Sequence, residues 1–187
     1  MKFRFPIVII DEDYRSENTS GLGIRALADA IVSEGLEVLG VTSYGDLSQF
    51  AQQQSRASAF ILSIDDEEFT PGPDLDPAVI NLRAFIDEVR RKNADVPIYI
   101  YGETKTSRHL PNDILRELHG FIHMFEDTPE FVARHIIREA KSYLEGVQPP
   151  FFKALLDYAE DGSYSWHCPG HSGGVAFLKS PVGQMYH

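Results

Sequence analysis

Apolar positions between residues 5 and 145 follow two alternating periods. Short β-branched runs predict buried strands at 5–10, 37–42, 59–64, 97–101 and 120–125. Between them the apolar spacing changes to that of helices. Ile24, Leu27, Ala28, Ile31 and Val32 share one helical face, and Gly35 follows where a left-handed cap belongs. Residues 47–55 and 112–118 predict two shorter helices. Asp76 and Pro77 open a long one, with Leu82, Phe85, Ile86 and Val89 on its apolar stripe and Arg90, Arg91 and Lys92 at its basic end. Thr128 and Pro129 open a last helix, whose expected buried side is Phe131, Val132, His135, Ile136, Ala140 and Tyr143. Runs of this kind alternating with helices predict an α/β fold with a parallel sheet covered on both faces.

Beyond that point the pattern stops. Gly146, Pro149 and Pro150 break the chain, residues 151–158 read as a short helix, and 161–174 turn to Gly, Ser, Pro, His and aromatics without periodicity. A length of 187 residues suits one well-buried domain with an extension. The expected division is a domain over 1–128, its last helix continuing to about 145, and a linker over 129–187.

Charge narrows the partners. With 28 acidic and 17 basic residues the net charge is −11, which repels polyanions, so nucleic acid is not expected as a partner. The apolar stretch near the start ends at Asp11, too short for a signal segment or a membrane span. The single cysteine, Cys168, cannot form an intrachain disulfide, in keeping with a reducing, cytoplasmic setting.

Five βα units of this size resemble the receiver domain of bacterial response regulators, a flavodoxin-like fold that binds ligands at the carboxyl ends of its strands. Asp11, Glu12 and Asp13 follow the first strand, and Asp65 and Asp66 follow the third, so a weak acidic, cation-binding cluster is conceivable there. A receiver also needs a hydroxyl residue closing strand four and a lysine closing strand five. Here Gly102 and Glu103 follow the one, and Glu126, Asp127 and Thr128 the other. The carboxylates therefore read as solvated loop groups of a degenerate receiver, and no metal is expected. Gly21, Gly23 and Ala26 match a dinucleotide fingerprint but stand ten residues past the strand, so they read as a loop leading into a helix. Gly173, Gly174, Lys179 and Ser180 fail as a phosphate loop because Leu178 stands where glycine is required. His167, Cys168 and His171 lack the second ligand pair of a zinc site.

Three segments carry a more specific resemblance: Pro149-Pro150-Phe151-Phe152, then Pro169-Gly170-His171-Ser172-Gly173-Gly174, then Lys179-Ser180-Pro181-Val182-Gly183. Their order is similar to that in the bacterial ornithine, lysine and arginine decarboxylases, in which a receiver-like wing domain precedes such a linker and a fold-type-I pyridoxal phosphate domain follows. Cys168 departs from the small hydroxyl or alanine residue that the resemblance leads one to expect. The resemblance implies a cytoplasmic enzyme built from dimers that assemble further. It would release carbon dioxide from a basic amino acid, with the cofactor ring as electron sink. It also implies that His167, His171, Gly173 and Gly174 lie near the cofactor cleft, although a turn needing glycine and proline accounts for the same residues.

The family's Schiff-base lysine follows a histidine, and none of the seven histidines here is followed by lysine. Residues 1–187 are therefore expected to be non-catalytic and not to bind the cofactor, the catalytic domain lying beyond His187. Two rival readings are a free-standing receiver-like switch and a binding module whose tail folds on a partner.

Overall fold

A computed structural model describes residues 5–48, 56–64, 77–103 and 110–147. The chain divides into two units, Phe5–Ala140, and Met1–Arg4 together with Lys141–His187. Of the second unit only the end of one helix is described.

The first unit is built on five strands, β1 (Ile7–Ile10), β2 (Val38–Val41), β3 (Ala59–Ser63), β4 (Ile98–Gly102) and β5 (Gly120–His123). All pairings are parallel, in the order β2-β1-β3-β4-β5. The helices are α1 (Thr19–Ser33), α2 (Tyr44–Ser48), α3 (Pro77–Lys92), α4 (Asn112–Glu117) and α5 (Pro129–Val147). This is the expected α/β architecture, a five-stranded flavodoxin-like sheet with helices on both faces.

Side chains alternate across a strand, so each sheet face collects every second residue. Ile7, Ile9, Ala59, Ile61, Tyr99, Tyr101 and Ile122 form one core with Ile24, Leu27 and Ile31 of α1 and Val132, Ala133, Ile136 and Ile137 of α5. The opposite face receives α3, with Phe85 meeting Phe60 edge-on at 5.6 Å and Tyr44 at 4.6 Å. Arg83 fastens α3 to α4 by a fork on Asp113 at 2.7 and 3.3 Å. Arg90 grips the α4 end through the Glu117 carboxylate and carbonyl, and also donates to the Val96 carbonyl at 2.8 Å. Buried Ser58 is satisfied by the Phe5 carbonyl at 3.0 Å.

Several boundaries differ from the sequence expectation. Residues 11–20 do not form a plain loop: Glu12–Arg15 make a 3-10 turn, and α1 starts at Thr19 with Asn18 as its cap, accepting from Gly21 N–H at 2.8 Å. Gly21 and Gly23 therefore lie inside the helix. Their small size has a packing reason, since a methyl on Gly21 would collide with the carbonyl oxygens of Asp13 and Ser16, and one on Gly23 would fall 2.8 Å from the Tyr101 hydroxyl. Helix α1 ends as expected at Gly35, φ 97°, where Gly35 N–H bonds to Val32 and Leu36 N–H to Ile31.

Helix α2 begins three residues before the expected Leu47, and the rest of the expected segment, like Asp76, lies outside the described residues. Strand β5 stops at His123 because Glu126 and Asp127 N–H groups both turn back onto the His123 carbonyl. The buried side of α5 is also rotated. Phe131 is 66% exposed and His135 is exposed, Tyr143 is half-buried, and Ala133 and Ile137 take inward positions. On α1, Val32 is likewise exposed. Apolar spacing alone leaves the phase of a stripe uncertain by one position, and the pleat of the sheet decides it.

Gly21→Ala is expected to cost about 1–3 kcal/mol, because backbone must move to admit the methyl. Gly45→Ala meets only an ordinary contact at 3.6 Å from Ser43 Oγ and is expected to be neutral or stabilising by up to about 1 kcal/mol. Urea unfolding of the two variants beside the parent chain measures both.

Candidate functional site

In an open parallel sheet of this order, ligands collect at the carboxyl edge where successive crossovers diverge, here between β1 and β3. A cleft of about 180 Å³ opens at that place, lined by Asp11, Glu12, Thr42, Ser63, Ala78 and Asn81 among others. The strands deliver Asp11, Thr42 and Ser63 to one edge, and the first turn of α3 supplies Ala78 and Asn81. Sequence reasoning passed over Thr42, Ser63 and Asn81. The first two follow or close a predicted strand and were visible by position, whereas Asn81 depends on where α3 crosses the sheet.

Asp11 is 3% exposed and its carboxylate accepts from Asp13 N–H at 2.8 Å, while its own N–H donates to the Val41 carbonyl at 3.1 Å. It caps the 3-10 turn. That turn is clamped from α1 by Arg25, which donates to the carbonyls of Tyr14 and Ser16. The Tyr14 ring lies over Gly40 of β2, where any Cβ would overlap it. Burial, and then the Asp11 charge, push the Tyr101 hydroxyl up to about 12, so it stays protonated beside Gly23. Thr42 donates to Asp46 at 2.6 Å, and this bond, with a second from Ser43, holds the exposed Asp46 carboxyl below the usual carboxylate range.

Of the acidic residues expected near the cleft, Asp11, Glu12 and Asp13 are described. Glu12 lines the cleft, Asp13 serves the turn through its backbone, and among the described residues no three His, Cys, Asp or Glu side chains converge to hold a metal. Asp65, His167, His171, Gly173, Gly174 and Cys168 lie outside the described residues. At the other strand ends, β4 closes on Gly102 with Glu103 after it, and the Asp127 carboxylate accepts from His123 N–H at 2.8 Å below β5. The cleft thus offers carboxylates, hydroxyls and a carboxamide. Among the described residues that line it there is neither a lysine for a cofactor carbonyl nor a cationic side chain for a phosphate, so these residues do not fit pyridoxal phosphate. Among the described residues no helix is long and apolar enough to cross a membrane.

Comparison with known proteins points in one direction. Residues 19–143 match the family model described as the amino-terminal domain of Orn/Lys/Arg decarboxylases, and residues 149–187 match the model of their major domain. The lysine decarboxylase LdcA of Pseudomonas aeruginosa is 33% identical over 98% of this chain and 24% of its own length. The biodegradative arginine decarboxylase of Escherichia coli is 28% identical over 97% of this chain and 23% of its own. The chain therefore spans about a quarter of the length of these relatives. Among solved structures, lysine decarboxylase A from Pseudomonas aeruginosa superposes with a TM-score of 0.68 at 31% identity, covering 98% of this chain and 24% of the other. The constitutive lysine decarboxylase of E. coli shares the fold, with a TM-score of 0.53.

If the Asp11 carboxylate acts as a cap, Asp11→Ala is expected to lose about 1 kcal/mol of stability, and Asp11→Asn, whose side-chain oxygen can still accept, to keep most of it. Equilibrium denaturation distinguishes the two. Equal losses would remove the capping role.

Proposed function

Because the chain belongs to the Orn/Lys/Arg decarboxylase family, we propose that residues 1–187 are the amino-terminal wing and linker of an enzyme that decarboxylates arginine, lysine or ornithine to the corresponding amine. The observation that carries this reading is the succession of two family matches, 19–143 then 149–187, in the order wing then major domain. In this division the wing domain comprises residues 1–128 with the helix continuing to about 145, and the linker follows. The wing serves assembly, as a part of dimers that associate further. Pyridoxal phosphate supplies the electron sink for loss of carbon dioxide when bound, and it belongs to the major domain. On the family match of the segment they occupy, we assign His167, His171, Gly173 and Gly174 of the linker to the neighbourhood of that cleft. The enzyme is cytoplasmic, and neither nucleic acid nor membrane is its partner.

Electrostatics argue against an independent receiver-like switch. A phosphoryl group at the strand ends would sit beside Asp11 and Glu12 with Glu103 and Asp127 following the neighbouring strands. Treatment of the chain with acetyl phosphate and Mg²⁺ is expected to leave its intact mass unchanged. A gain of one phosphate that disappears in Asp65→Asn would establish the switch instead.

For the enzyme itself, residues 1–187 mixed with pyridoxal phosphate and each basic amino acid in turn are expected to release no carbon dioxide above background. None of the six lysines, Lys179 included, stands in the family's histidine-lysine pair. The chain continued through a major domain is expected to decarboxylate at least one of the three. Turnover by residues 1–187 alone, or inertness of the extended chain toward all three, overturns the assignment.

A further inference from the structure

Two helices on one face of the sheet leave their outward sides uncovered among the described residues. Helices α1 and α5 share the core beneath them, and both start at the carboxyl edge, where Ser20 Oγ of α1 meets Met124 Sδ of the turn before α5 at 3.9 Å. Large apolar side chains lie bare at this end: Leu22 of α1 is 57% exposed, Phe125 of the turn 65% and Phe131 of α5 66%. Exposed apolar groups gathered in this way mark a contact surface.

The two outward sides carry complementary lines of residues. On α1, Leu22, Ala26 and Asp29 are exposed and follow one another at steps of four and three residues, the spacing that keeps side chains on one side of a helix. On α5, Phe131, His135 and Arg138 are exposed at the same steps. Each line therefore begins on a large apolar residue and ends, two turns later, on a charge, acidic in α1 and basic in α5. The Arg138 side chain is 71% exposed, and its contacts with Glu139 at 3.2 Å and His135 Nδ1 at 3.0 Å lie on its own helix. Arg25, the basic residue of α1, is turned away onto the carbonyls of Tyr14 and Ser16, which leaves Asp29 to set the sign of the α1 line.

We propose that this face is an interface between two copies of the chain, in which α1 of one copy lies along α5 of the other, with Leu22 on the partner's Phe131, Ala26 beside the partner's His135 and Asp29 paired with the partner's Arg138. The inference deepens the assembly role of the wing and rests on that reading.

A two-fold axis parallel to the helices and midway between them produces this pairing. It exchanges the places of α1 and α5 without reversing their direction, so first turn meets first turn and every contact occurs twice. Charge makes a second copy the fitting occupant. The chain carries a net charge of −11, so two copies repel over most of their surfaces and approach only where opposite charges are matched. The reciprocal Asp29 and Arg138 pairs supply that match, Leu22 and Phe131 supply the apolar burial, and the small Ala26 leaves room for the imidazole opposite it.

Sedimentation of the full-length protein over a range of concentrations, at neutral pH and low salt, tests this. Asp29→Arg and Arg138→Asp each set like charges against one another and are expected to raise the concentration needed for assembly roughly tenfold or more. The double variant D29R/R138D restores both pairs in the reversed sense and is expected to recover most of the parent protein's assembly. Phe131→Ser, at an exposed position outside the core, is expected to weaken assembly by a similar factor of about ten. Single reversals without effect, or a double variant no better than the singles, overturn the pairing, and a parent protein that still assembles then leaves the assembly role itself standing. A parent protein that stays monomeric throughout overturns both.

Discussion

Desolvation of the two central strands is the constraint on which the structure rests. Ile7, Ile9, Ile61 and Leu62 are fully buried, and β1 and β3 lie side by side in a parallel ladder without a solvent face. A parallel pair cannot be joined by a tight turn, so each strand must be followed by a crossover long enough to return to the same end. The crossovers in turn must cover both faces, because each half of the alternating side chains is apolar. Removing one of these side chains, as in Ile→Ala, is worth about 2–5 kcal/mol, a large part of the net stability of a domain of this size.

The same constraint shapes the carboxyl edge. Once β1 is fixed, its next residue, Asp11, is carried below the surface and becomes tolerable only as a hydrogen-bonded cap. The chain must then clear the sheet edge before α1 can pack, and the 3-10 turn achieves this in little space. Close approach follows: backbone of the turn against Gly21, the Tyr101 hydroxyl against Gly23, and the Tyr14 ring against Gly40. The glycines that look like a nucleotide fingerprint are thus accounted for by steric contacts within the fold.

Among the described residues, the cleft at the carboxyl edge is lined by carboxylates, hydroxyls and a carboxamide, with Asp11 held as a cap.

Composition and periodicity alone determined the class of fold, the number of strands and their alternation with helices, the strong helix from Pro77, and the glycine stop at Gly35, because each depends on residues close together in the chain. The linker segments carried the family likeness for a similar reason, as contiguous patterns of Pro, Gly and His. Tertiary structure decided the rest. The phase of α5, with Phe131 and His135 turned outward, follows from the sheet surface beneath it. The roles of Asp11 as a cap and of Gly21 as a point of contact depend on groups from other elements. The cleft itself gathers Thr42, Ser63 and Asn81 from three separate segments, and only the parallel register brings them to one edge.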